Sequence, residues 1–203
     1  RRKLEADPSA PRLLLTDRLS FLTGVRFDAP TLQRQDLQTG AQFERTYRSL
    51  GYRFGLLYNP TPDSALYAQY STATDPVNSL ITLSQSLAGF KLSTGDQIEV
   101  GVKQTLWDGR AEFTLAGYQI RKRDLLTADP LRPTVTVQVG SQSSEGIEAS
   151  ASVALTDTVR VEGNLAILQA QYDRFNQTAN GVAVSFRGNQ PINVPDEVSN
   201  LWL

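Results

Sequence analysis

Histidine, cysteine and methionine are absent from all 203 residues. Without cysteine there is no disulfide, thiolate metal site or thiol nucleophile, and without histidine no His-based triad. An excess of one charge is missing too: 20 Lys and Arg stand against 21 Asp and Glu, so a basic surface for nucleic acid is not on offer. No apolar run approaches the roughly 18–20 residues of a spanning helix. The opening Arg1-Arg2-Lys3-Leu4-Glu5-Ala6-Asp7-Pro8 lacks the apolar stretch of a signal peptide. No phosphate-cradling or nucleophile-elbow glycine motif occurs. Glu145 and Glu148 fall on opposite faces of one strand and cannot share acid–base work. These absences together argue against an enzyme.

What is present is a period of two. Ile98, Val100 and Val102 alternate with Gln97, Glu99, Gly101 and Lys103. Ile147, Ala149, Ala151 and Val153 alternate with Glu148, Ser150 and Ser152, and Val161, Leu165 and Ile167 with Arg160, Glu162 and Asn164. Near the start, Leu19, Phe21, Val25 and Phe27 alternate with Ser20, Gly24, Arg26 and Asp28. An aromatic-rich stripe of Leu50, Tyr52, Phe54, Leu56 and Tyr58 faces away from Gly51, Arg53 and Gly55. Such segments are strands with one apolar and one wet face, and the chain reads as all-β.

Turn chemistry divides the strands unevenly. Short breaks rich in Asp, Asn, Gly and Pro fall at 16–18, 59–63, 107–110 and 156–158. Long polar connections lie between them, about Gln35 to Arg45, Ser71 to Thr94, Arg123 to Pro133 and Asp173 to Gln190. The pattern predicts about eight strands, near 9–15, 18–33, 46–58, 64–72, 96–106, 110–122, 134–154 and 158–173, with a ninth beginning near Asn193. Strict alternation of short and long connections is the rhythm of an outer-membrane barrel, with short periplasmic turns and long extracellular loops. Arg26, Arg53, Gln69, Glu99, Lys103, Glu148, Arg160 and Glu162 all belong to the polar face, and burying them dry would cost several kcal/mol each. A lumen removes that cost; a soluble sandwich or solenoid is the competing reading.

Several segments resemble the TonB-dependent siderophore receptor family. Leu66-Tyr67-Ala68-Gln69-Tyr70-Ser71 is similar to its "LYASYS" strand. Glu99-Val100-Gly101-Val102-Lys103, followed by Leu106-Trp107-Asp108-Gly109-Arg110, resembles its "EVGVK…LFDGRL" hairpin. The run from Gly140 to Glu148 resembles its "GxQRSxGxE" strand, and Asn193-Val194-Pro195 leading to Leu201-Trp202 its "NVPxHxxSLW" segment. Order and spacing match from about Leu19 to Leu203, with Ser143 where the family usually has arginine and Asp196-Glu197 where it has a basic pair. The resemblance implies an antiparallel transmembrane β-barrel of about 22 strands with an N-terminal plug. Residues 1–203 would be part of its single barrel domain, lacking the plug, the early strands and the closing strands. It further implies uptake of a ferric siderophore, energised by the TonB complex through the plug, with iron ligated by the siderophore and no protein cofactor. A small structural or adhesive eight-stranded barrel and a passive porin are the alternatives.

Phase also nominates residues. Gln97, Glu99, Tyr118 and Lys122 are predicted to face the lumen near the outer mouth, where polar groups and a tyrosine could contact a ligand. Lumen hydration or plug contact is the plainer role for them. Arg121 and Arg123 are predicted to face outward, where lipopolysaccharide phosphates would lie. Tyr52, Phe54, Tyr58 and Trp107 read as the aromatic girdle at the lipid interface rather than as ligand stackers.

Overall fold

The computed structural model describes residues 12–75 and 89–203. Nine strands form one antiparallel sheet in the order β1 (Arg12–Leu14), β2 (Leu19–Asp28), β5 (Ser49–Thr61), β6 (Ser64–Asp75), β7 (Ser93–Leu106), β8 (Ala111–Ala128), β9 (Thr136–Ala154), β10 (Arg160–Arg174) and β13 (Glu197–Trp202). Each strand pairs with its neighbours in sequence, apart from two hairpins that stand outside the sheet: β3 (Thr31–Gln35) with β4 (Gln42–Thr46), and β11 (Asn176–Ala179) with β12 (Val182–Ser185). No helix among the described residues is long and apolar enough to cross a membrane, which says nothing of strands.

The short breaks all close hairpins at one end of the sheet. Two of them are the same turn built twice. Leu15 N–H donates to Leu19 O at 2.9 Å while the Thr16 hydroxyl accepts from the N–H of Leu19. Leu155 N–H donates to Val159 O at 2.9 Å while the Thr156 hydroxyl accepts from the N–H of Val159. The β7–β8 turn is a single 3-10 turn at Trp107–Gly109, whose three residues all have positive φ; Gly109, at +92°, is the one suited to it.

At the opposite end the strands run further than sequence pattern suggests. β8 continues to Ala128 rather than stopping near 122, and β6 to Asp75 rather than 72. At about 3.4 Å per residue, the 18 residues of β8 and 19 of β9 exceed a roughly 30 Å hydrocarbon core and rise well beyond it. The expected 18–33 strand is two elements: β2 ends at Asp28, and Ala29-Pro30 turn the chain into β3. The expected connections at 35–45 and 173–190 contain strand hairpins, because each holds enough alternation around a glycine turn to pair with itself. Positions 9–11 and most of the Ser71–Thr94 connection lie outside the described residues.

Register sorts the residues onto two faces. One carries Phe21, Phe54, Leu56, Leu66, Ile98, Val100, Leu115, Ile147 and Ile167 in laterally adjoining positions. None of the described residues covers it: Ile98, Val100 and Ile147 are 57%, 56% and 59% exposed. A sheet face this apolar and this open is what lipid requires and what water penalises. The main apolar cluster lies at the long-connection end instead. Tyr47, Leu92 and Leu125 are buried there, with Leu32, Phe43, Phe90 and Leu126 packed around them. Register shifts at Arg123/Leu125 and Leu125/Leu126 break the ladder where Leu125 enters this cluster. Gly140 makes room, since a Cβ there would lie 2.9 Å from the Leu125 Cβ and carbonyl oxygen.

Candidate functional site

The other face of the sheet is polar, and its upper rows hold the nominated residues. Glu99 on β7 stands directly opposite Tyr118 on β8, and Gly95 opposite Lys122, so all four nominated lumen residues share this face. Glu99 is the centre of a small network. Its Oε1 accepts the Tyr67 hydroxyl at 2.7 Å, and its Oε2 accepts the Gln97 side-chain amide at 2.8 Å. Hydrogen bonds to a charged acceptor are worth about 1.5–3 kcal/mol each, so this carboxylate is fixed in place. The Lys103 ammonium lies 5.7 Å from the centroid of the Tyr67 ring, within cation–π range. Tyr118 crosses to the next strand, where a Cβ on Gly146 would come within 2.9 Å of its hydroxyl.

One row higher, Lys122 Nζ contacts Asp75 Oδ2 at 2.5 Å, with side chains 31% and 56% exposed. An ion pair this open contributes under about 1 kcal/mol. Lys122 is therefore held only loosely. Further round the wall, the Arg53 guanidinium donates to Gln69 Oε1 at 3.0 Å. Sequence phase brought out neither Tyr67 nor Asp75. Tyr67 sits between apolar Leu66 and Ala68, and only the even spacing from Gln69 marks it as inward.

The two outward arginines part company. Arg123 forms an ion pair with Asp96 on the neighbouring strand. Arg121 has no ion-pair partner among the described residues and borders a polar cleft of about 540 Å³ with Glu145, Asp173 and Asp196.

In the connections, carboxylates stabilise turns. Asp129 is held below the usual carboxylate range chiefly by the N–H of Leu131, helped by the side chain and N–H of Arg132. Asp36 is held low in the same way by the N–H groups of Thr39 and Gln38. No group of three or more acidic residues among the described residues is placed to hold a metal ion.

Residues 12–203 match the family described as "TonB dependent receptor-like, beta-barrel". The chain belongs to that family. Its metal-pseudopaline receptor CntO from Pseudomonas aeruginosa is 32% identical over 211 residues, 95% of this chain and 27% of that protein. The ferrichrome outer membrane transporter/phage receptor of Escherichia coli is 27% identical, over 92% of this chain and 23% of its own length. Among solved structures, the siderophore receptor PiuA from Acinetobacter baumannii superimposes with a TM-score of 0.81 at 19% identity, over 95% of this chain and 29% of PiuA. The chain thus spans about a quarter of the relatives it matches. It is a partial TonB-dependent receptor barrel of the bacterial outer membrane, with one open apolar face and an opposite, polar face that carries Glu99, Tyr118 and Lys122. The family consists of transport receptors rather than enzymes.

Proposed function

We propose that this chain forms part of the wall of a receptor that imports a ferric siderophore across the outer membrane, driven by the TonB complex. Residues 1–203 belong to its one barrel domain, and the plug that TonB engages lies outside this chain. Iron travels ligated by the siderophore, and the protein contributes no cofactor. The observation that carries the reading is the graded lumen wall: a loosely paired Lys122 nearest the mouth, then the fixed Glu99–Tyr67–Gln97 network beneath it. A metal chelate with anionic oxygens would meet Lys122 first, in exchange for Asp75. Gln97 and Tyr118 then offer an amide and a phenol at the next rows. Outward, the wall stands in membrane lipid, with Arg121 rather than the paired Arg123 open to a lipid phosphate such as that of lipopolysaccharide.

Deletion of the gene tests the proposal, with iron-limited growth measured on individual purified siderophores. Loss of growth on one of them, reproduced by disrupting TonB, is the expected result. Normal uptake of every siderophore sinks it. Saturable, energy-dependent uptake separates a receptor from a porin, whose flux rises with concentration. Among the described residues nine strands lie in one sheet with β1 and β13 at its edges rather than paired with each other, which disfavours the small closed barrel.

A further inference from the structure

The first strands of the sheet put three arginines on the polar face. Gly24 on β2 stands directly opposite Arg53 on β5, and Arg26 directly opposite Gly51. Arg12 on β1 stands opposite Leu22, two residues below Gly24 in the same phase. Gly24 is thus ringed by Arg53 beside it, Arg26 above it and Arg12 on the lower diagonal. Arg26 and Arg53 are themselves diagonal neighbours, about 7–8 Å apart at the backbone.

Like charges so placed repel, and little on this part of the wall offsets them. The inward positions of β1, β2 and β5 hold one carboxylate among the described residues, Asp28. It accepts the Arg26 Nε–H at 2.8 Å, with side chains 73% and 34% exposed, so the pair holds weakly. Arg53 donates to the neutral Gln69, and Arg12 to the Ser20 hydroxyl at 2.8 Å. A guanidinium carries several N–H donors, and these contacts leave most of them for another acceptor. The glutamates on this face of the described sheet, Glu99, Glu112, Glu148 and Glu162, all lie on β7–β10.

Packing does not force the two glycines. A Cβ on Gly24 would meet only the Arg53 Cβ, at 3.9 Å, and one on Gly51 only the Thr72 and Arg26 carbonyl oxygens, at 3.4 and 3.9 Å. Side chains are missing there rather than crowded out, and the guanidinium pair is left open between them. Guanidinium forks take a carboxylate in two parallel hydrogen bonds. No inward position of β2 or β5 carries an aromatic ring, so a catecholate or phenolate chelator finds nothing to stack on.

We infer that the imported ferric chelate is an aliphatic polycarboxylate, one free carboxylate of which lies over Gly24 between Arg26 and Arg53, with Arg12 as the flanking cation. The inference rests on the import reading above and adds to it the class of chelate.

The test is uptake of radioactive iron by cells carrying the intact receptor, with the gene-deletion strain as background. Iron is offered as its complexes with citrate and rhizoferrin (carboxylates), ferrioxamine B (a hydroxamate) and enterobactin (a catecholate). The expected result is receptor-dependent uptake from a carboxylate complex, cut about tenfold or more by Arg26→Gln or Arg53→Gln, the usual weight of a lost charged hydrogen bond. Gly24→Glu supplies the carboxylate within the chain and should block as strongly; Gly24→Gln fills the same space without charge and should block less. Folding of every variant is checked by heat-modifiable mobility on gels. Uptake from the hydroxamate or catecholate alone overturns the inference and leaves the import reading standing. Uptake from none of the four sinks the import reading, and this inference with it. Carboxylate uptake that no variant alters overturns the site. So does an equal fall for carboxylate and other complexes with new sensitivity to vancomycin, which would assign the anion to a loosened plug.

Discussion

The ring of Tyr67 lies across Gly101, its direct partner on the next strand: a Cβ on Gly101 would stand 2.6 Å from the Cε1, Cζ and hydroxyl oxygen of that ring. The glycine exposes backbone, the tyrosine covers it, and the covered position brings the hydroxyl to Glu99. Gly101→Ala must displace the ring and break that hydrogen bond, at about 1–3 kcal/mol by the usual cost of overpacking. The urea midpoint of the refolded receptor should fall accordingly. In a Tyr67→Ala background the same glycine substitution should cost little, because the obstructing ring is gone. Equal losses in both backgrounds would show that Gly101 is needed for something other than the tyrosine.

The assignment of faces can be tested by one pair of substitutions. Val100 and Thr114 lie on adjoining strands in opposite phase, three residues (about 10 Å) apart along the ladder. Val100→Arg places a guanidinium in hydrocarbon and should cost about 2–4 kcal/mol if the site is near the bilayer midplane. Thr114→Arg points into the lumen beside Lys103 and should change the unfolding midpoint by far less. Folding yield into lipid vesicles reports the difference, and a reversal of the two effects would turn the sheet inside out.

Much of this wall is legible in the sequence. Alternation along Gln97–Lys103 and Glu145–Val153 fixes which residues face which way, since a strand offers only two directions. The register sets Gln97, Glu99, Tyr118 and Lys122 on one side of the sheet and Arg121 and Arg123 on the other, as that alternation requires. Their partners do not follow from alternation, because partnership depends on register between strands far apart in sequence. Lys122 meets Asp75 across 47 residues, and Arg123 meets Asp96 across 27. The outer ends depart from the sequence pattern for another reason. Asp124 has a positive φ of 61°, and the register shifts beside it let β8 continue past a point where the sequence period breaks. Strand pairing then overrides the local polarity of 123–128. The same holds for the two outer hairpins, which pair internally rather than joining the sheet.

The cluster at the outer end of β8 makes a separate prediction. Leu125 is buried against Tyr47 and Leu92, and Gln138 ties the neighbouring backbone by donating to the carbonyls of Lys91 and Asp124 at 2.8 and 2.9 Å. Leu125→Ala removes a buried leucine, a change that costs about 2–5 kcal/mol where the site cannot collapse. That loss falls on the β3–β4 hairpin, which has no sheet neighbours among the described residues to hold it. Hydrogen exchange at residues 31–46 should accelerate strongly while β6 and β7 keep their protection. Uniform acceleration across the sheet would mean that the cluster supports the whole wall rather than the hairpin.

The tip of that hairpin should be sensitive to acid. The Asp36 carboxylate accepts the N–H groups of Gln38 and Thr39, each at 2.9 Å, while Gly40 N–H donates to the Asp36 carbonyl. Those backbone donors lead in holding its pKa below the ordinary 3.8, with the Thr39 hydroxyl and the charge of Arg34 adding to them and a small desolvation opposing. A carboxyl whose folded pKa is depressed stabilises the fold above its unfolded value. The contribution is lost as pH falls through the lower, folded value. Protection of the Gly40 and Ala41 amides, corrected for intrinsic exchange, should thus be constant from pH 7 to about pH 5 and decline below pH 4. Asp36→Asn keeps an acceptor oxygen but removes the charge, so the variant should show the weakened turn throughout and no decline with acid. An unchanged decline in Asp36→Asn would show that the effect does not originate at this carboxyl.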